Sequence, residues 1–128
     1  MDLKTYFTET SGMGVLSTAD SDGRVNAALY ARPHVMDDGT LAFIMRDRLT
    51  HHNLQSNFSA AYLFRESGDG ARGVRLHLEK VHEETGTPRV RELCRRCRRD
   101  EAPDAVRHLV IFRIARELPL VASGEFAA

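Results

Sequence analysis

Between two apolar runs, Leu41 to Met45 and Ser59 to Phe64, the chain gathers Arg46, Asp47, Arg48, Thr50, His51 and His52. Guanidinium forks, a hydroxyl and imidazoles are all hydrogen-bond donors. The run Thr50 to Ser56, T-H-H-N-L-Q-S, reads as a short helix, so the unpaired amides of a helix start lie in the same corner. Donors of this kind at a strand-to-helix corner suit a phosphate, and the corner is expected to hold a phosphorylated cofactor. Asn53 is expected to brace the corner through local hydrogen bonds. The pair His51-His52 does not read as a metal site, because neighbours on a helix point about 100° apart. The remaining histidines are scattered, and no metal is expected. No Ser-His-Asp order or G-x-S-x-G elbow is present, and Gly68 to Gly73 lack the Lys-Ser/Thr of a P-loop.

The elements around the corner read as turn-punctuated strands. Gly14 to Ala19 is a strand, Asp20-Ser21-Asp22-Gly23 a turn, and Arg24 to Met36 a longer strand broken at Pro33. Asp37-Asp38-Gly39 is a second turn, Thr40 to Met45 the third strand and Ser59 to Arg65 the fourth. Val74 to Val81 alternates, which should bury Val74, Leu76 and Leu78 and expose Arg75, His77 and Glu79. Leu109 to Ile114 is the last strand, expected to leave an exposed apolar surface. Short helices are expected over Met1 to Ser11, with Leu3 and Phe7 inward, and from Thr87-Pro88, anchored by Val90 and Leu93. The first three strands have no crossover helix between them, so the fold class is mainly β: an antiparallel barrel of about six strands with Greek-key-like order.

At 128 residues the whole chain, 1–128, reads as one domain. Lys+Arg and Asp+Glu both number 18, so net charge points to neither nucleic acid nor an acidic membrane. No apolar run is long enough to span a bilayer, and M-D-L-K-T-Y-F lacks the pattern of a signal peptide, which makes the cytoplasm the expected compartment. The Arg-rich run Arg89 to Arg99 has no interleaved aromatics, which argues against nucleic acid. It reads as a solvated face paired with Glu83-Glu84 and Asp100-Glu101, or as a surface for an anionic substrate. Cys94 and Cys97 form C-R-R-C without two further zinc ligands, and are expected as two thiols on or near a helix face.

Three features in order carry a family resemblance: G-V-L-S-T-A-D-S-D-G-R-V-N-A-A-L-Y (Gly14 to Tyr30), M-D-D-G-T-L-A-F-I-M (Met36 to Met45) and L-T-H-H-N-L-Q-S-N (Leu49 to Asn57). In this order the chain, from about Gly14 to about Leu120, resembles the FMN-binding split barrels related to pyridoxamine 5'-phosphate oxidase. The resemblance implies FMN as cofactor, a homodimer with each flavin in a groove between subunits, and a flavin-dependent oxidoreductase or electron-transfer role; the alternatives are a flavin carrier or sensor and, further off, a haem-binding split barrel. It implies that Ala28, Leu29, Tyr30, Ala31 and Arg32 contact the ring and ribityl chain. Phe43, Ile44 and Met45 would flank them, and Leu49, Thr50 and His51 would reach the phosphate. Many members of the family carry a Lys where this chain has Leu49-Thr50, so Arg46, Arg48 or His51 must replace it. From the residues alone, Ala27, Ala28 and Ala31 fit either a slot for a flat ring or a tight core. Arg32 fits either a cofactor contact or a solvated or interface arginine. No substrate and no catalytic residue is legible.

Overall fold

A computed structural model describes residues 2–94 and 106–121. The elements run α1 (Leu3–Glu9), β1 (Gly12–Ala19), β2 (Val25–Tyr30), β3 (His34–Val35), β4 (Leu41–Arg46), α2 (Leu49–Ser56), β5 (Ser59–Glu66), β6 (Gly73–Thr85), α3 (Pro88–Leu93) and β7 (Arg107–Pro119). Seven antiparallel strands make one curled sheet in the order β2-β1-β5-β6-β7-β4-β3. Among the described residues no helix is long and apolar enough to cross a membrane. The stretch 95–105, with Cys97, Asp100 and Glu101, and the tail 122–128 lie outside the described residues.

The two hairpin turns form where glycine supplies a backbone that other residues resist: Gly23 has φ 83° and Gly39 φ 87°. Asp20 closes the first turn by accepting the Asp22 and Arg24 amides at 2.9 Å each. Burial then alternates along β1 and β6 as the period-2 pattern demands, with Leu16, Val74, Leu76 and Leu78 inside. These join Phe7, Leu41, Phe43, Met45, Leu54, Tyr62, Phe64, Val110 and Phe112 in the barrel interior.

Three expectations change. The long strand over Arg24 to Met36 is two strands, β2 and β3, which sit at opposite ends of the sheet order. Pro33 lacks an amide to pair, and the chain leaves one edge there and rejoins at the other. The strand count is therefore seven. The last strand is not an exposed apolar surface: Leu109 to Phe112 are all buried. Val110 and Phe112 face the interior, while Leu109 and Ile111 pack with Ala42 and with Val90 of α3 on the other side. The exposed apolar surface lies instead on the outer side of β2-β1-β5, where Val25 is 84% and Leu29 71% exposed. Val15 sits between Leu29 and Leu63 in the cross-strand register there.

Candidate functional site

A cleft of about 590 Å³ opens where β2 and the crossing segment face β4 and the β4–α2 corner. Alternation aims Asn26, Ala28 and Tyr30 of β2 at the cleft, because Ala28 is the partner of the buried Leu16. Ala28 contributes only a methyl group to this wall, and Ala31 continues it. At one end the corner supplies donors. Thr50 is buried in the first turn of α2, and its hydroxyl accepts a hydrogen bond from Asn26 Nδ2 at 3.4 Å. The Tyr30 hydroxyl belongs to the same group: burial raises its pKa, while a hydrogen bond with Thr50 and the charge of Arg48 act against that rise. Arg46, Arg48 and Arg107 border this end, and no carboxylate is among the described residues lining the cleft. The first amides of α2 start at Arg48, the N-cap residue, which makes no side-chain cap.

Ala28, Leu29, Tyr30, Ala31, Arg32, Phe43, Ile44, Met45, Arg48, Leu49 and Thr50, named from the sequence, all border this cleft. Their side chains differ in role. Leu29 stands on the outer face with Val25, so its cleft contact is along the rim. Phe43 and Met45 point into the barrel interior, and Ile44 packs on the opposite side with the Ala42 cluster. Arg32 Nη1 donates to the carbonyls of Phe7 (3.1 Å) and Thr10 (2.9 Å), tying the crossing segment to the end of α1. Asn53 braces the corner, though not through the local hydrogen bonds expected of it: its side chain donates to Thr18 Oγ1 of β1 at 3.2 Å.

His51 does not line the cleft. Its ring is buried behind the corner, where it stacks on His108 with centroids 3.5 Å apart and planes 3° from parallel. His51 Nε2 meets Glu83 Oε2 at 2.8 Å. Burial pushes the Glu83 carboxyl up, but hydrogen bonds from Gln55, His51 and Lys80 outweigh it and hold its pKa at about 2. His51 therefore stands apart from the corner groups that face the cleft. Asn26 and Arg107 also line the cleft, beyond the residues the sequence points to. Asn26 shares the two-residue spacing of Ala28 and Tyr30 and was within reach of that rule. Arg107 reaches the cleft only through the pairing of β4 with β7, opposite Arg46, which no local pattern reveals. Cys94 also borders the cleft, and it is disulfide-bonded, not the free thiol expected.

No protein-family model matches the chain, and no curated protein matches it in sequence. Solved structures match it in shape. An FMN-binding protein from Syntrophomonas wolfei superposes with a TM-score of 0.72 at 18% identity, over 94% of this chain and 85% of that one. A proposed pyridoxamine 5'-phosphate oxidase from Lactobacillus delbrueckii gives 0.64 at 15% identity, over 92% of each chain. The styrene monooxygenase flavin reductase of Pseudomonas putida S12 gives 0.57 at 12% identity, over 91% of this chain and 85% of that one. The fold is thus the split barrel seen in these FMN-binding, oxidase-like and flavin-reductase proteins, the group that the three sequence features resemble.

Proposed function

We propose that this chain binds FMN in the β2–β4 cleft and works as a flavin-dependent oxidoreductase or electron carrier on a small molecule. One observation carries the reading: a cleft with a methyl-lined wall at Ala28 ends in the donor group Arg48, Thr50 and Tyr30, with no described carboxylate to oppose an anion. The wall suits a flat aromatic ring and the corner suits its phosphate. When bound, the flavin supplies the electron transfer. The protein's part is to hold the phosphate with Arg48 and Thr50, to keep the ring against Ala28, and to exclude water with the aliphatic rim. The flavin-binding and flavin-reductase neighbours support this reading. The cytoplasmic compartment expected from the sequence remains part of it.

The outer face of β2-β1-β5, with Val25, Leu29 and Leu63, suits a second copy of the chain, and Leu29 joins that face to the cleft rim. A homodimer on this face would set each cleft beside the partner.

The test is ligand discrimination. Arg48→Ala or Thr50→Ala should weaken FMN more than riboflavin, by about ten- to a hundredfold for one charge-assisted contact worth roughly 1.5–3 kcal/mol. Equal loss for both ligands would remove the phosphate from this corner. Mass spectrometry of the denatured extract identifies the native cofactor, and turnover with NAD(P)H separates an enzyme from a carrier.

A further inference from the structure

The buried cluster behind the corner takes no part in the flavin reading. Asp47 Oδ1 lies 3.4 Å from His51 Nδ1 and 3.3 Å from His108 Nε2. The far nitrogen of each ring is already engaged. His51 Nε2 faces Glu83 Oε2 at 2.8 Å, and His108 Nδ1 faces Thr85 Oγ1 at 2.8 Å. Gln55 Nε2 also approaches the His51 ring, but its two protons go to Glu83 Oε1 (3.0 Å) and the His51 carbonyl (3.1 Å). His51 Nε2 is therefore the donor to Glu83, and Thr85 can take the Nδ1 proton of His108. In a neutral imidazole each arrangement leaves the opposite nitrogen with a bare lone pair.

The Asp47 oxygen and one nitrogen of each ring then lie close together, on rings stacked in parallel. Atoms bound to one ion at about 2.1 Å and at tetrahedral angles stand about 3.4 Å apart, which the Asp47 spacings match. Ligand histidines commonly give their second N–H to a carboxylate or another oxygen, and Glu83 and Thr85 occupy those places. Two imidazoles and one carboxylate are the donors of zinc and of related divalent transition ions.

We propose that Asp47, His51 and His108 form a binding site for a divalent transition-metal ion of the zinc class. All three ligand atoms lie within 4.8 Å of one another. The rings stand parallel, so binding one ion with both requires the imidazoles to turn apart. Asp47, whose side chain is 70% exposed, offers the route from solvent. The ion would join the β4–α2 corner to the start of β7, behind Arg48 and Thr50. The site does not depend on the flavin reading, since its ligands face away from the cleft. It also differs from the adjacent pair His51-His52 set aside from the sequence: the second imidazole comes from β7.

The experiment uses the full chain without flavin, titrated with Zn²⁺ by calorimetry and with Co²⁺ by visible absorption. One Zn²⁺ per chain is expected, with Co²⁺ ligand-field bands that Zn²⁺ abolishes. Asp47→Asn and His108→Gln should each lower Zn²⁺ affinity on the order of a hundredfold. His52→Ala, next in sequence but outside the ligand set, should leave it unchanged. Asp47→Asn alters an exposed side chain, so it decides the matter even if His108→Gln does not fold. No Zn²⁺ binding by the wild type, or binding that Asp47→Asn leaves intact, overturns the proposal.

Discussion

Replacing Tyr62 by Phe removes one oxygen from the middle of the barrel and tests whether the interior positions the cleft. Tyr62 is fully buried, and its hydroxyl lies 3.2 Å from both the Tyr30 and Ala31 carbonyls. Those carbonyls stand where β2 ends and the chain begins its crossing to β3. One hydroxyl proton is shared between two acceptors at a long distance, so the bond is weaker than an ideal one. Tyr30 is only half-buried and Ala31 exposed, so water can reach the orphaned carbonyls and the full penalty of a buried unpaired acceptor does not apply. The expected loss is about 1 kcal/mol, near the usual net worth of one hydrogen bond, or about 3–6 °C in Tm for a domain of this size. Urea unfolding should show a lower midpoint at unchanged slope. Flavin affinity should fall as well, because Tyr30 and Ala31 form one wall of the cleft. Tyr6→Phe is the control: it removes a 2.7 Å bond to Glu66 in another part of the molecule and should cost stability only. Wild-type stability in Tyr62→Phe would show that the hydroxyl braces nothing. Reduced stability with flavin affinity intact would show that the brace does not set the wall.

Other positions in the barrel give further outcomes. Ala28→Leu should abolish flavin binding yet leave thermal stability without cofactor within about 0.5 kcal/mol, since the added carbons enter the cleft; loss of stability with affinity kept would place Ala28 in the core. Gly14→Ala should destabilise by about 2 kcal/mol or more, because a Cβ there collides with the Tyr62 ring and hydroxyl; a neutral result in chemical denaturation would refute that packing. Burial, and then the hydrogen bond to Glu66, raise the Tyr6 pKa above its ordinary 10.0. The fold therefore favours the protonated phenol. This stabilisation is complete below about pH 10 and is lost as pH rises beyond it, so the alkaline loss of stability should be smaller in Tyr6→Phe than in wild type. Leu29→Glu should shift light-scattering mass from dimer toward monomer; a wild-type monomer at micromolar concentration with flavin bound would refute the dimer.

Local chemistry made part of this legible. The glycines of the two turns, the alternation of β6 and, among the corner donors, Arg48 and Thr50 are short-range signals that lie where the sequence places them. Long-range pairing left no such trace. Nothing in Arg24 to Met36 announces that Pro33 sends the chain to the far edge of the sheet. Nor does Leu109 to Ile114 reveal that α3 covers its second face, which turned an expected exposed strand into a buried one. His51 shows the same limit within the site. Thr50 before it faces the cleft, but the helix turns the His51 ring toward His108, a residue brought there only by β7.

The sheet order carries a consequence for the newly made chain. β4 pairs with β3 and β7 alone, and β3 contributes only two residues, so β4 is fastened to the rest of the sheet through β7. Arg46, Arg48 and Thr50 emerge from the ribosome before the strand that β4 pairs with along its length. Pairings across such sequence separations form late. A nascent chain stalled before Arg107 would carry the corner and the Ala28 wall, tied by the Asn26–Thr50 and Asn53–Thr18 hydrogen bonds, but its β4 would lack the strand it pairs with along its length. The β4 side of the cleft is then completed only after translation has passed β7.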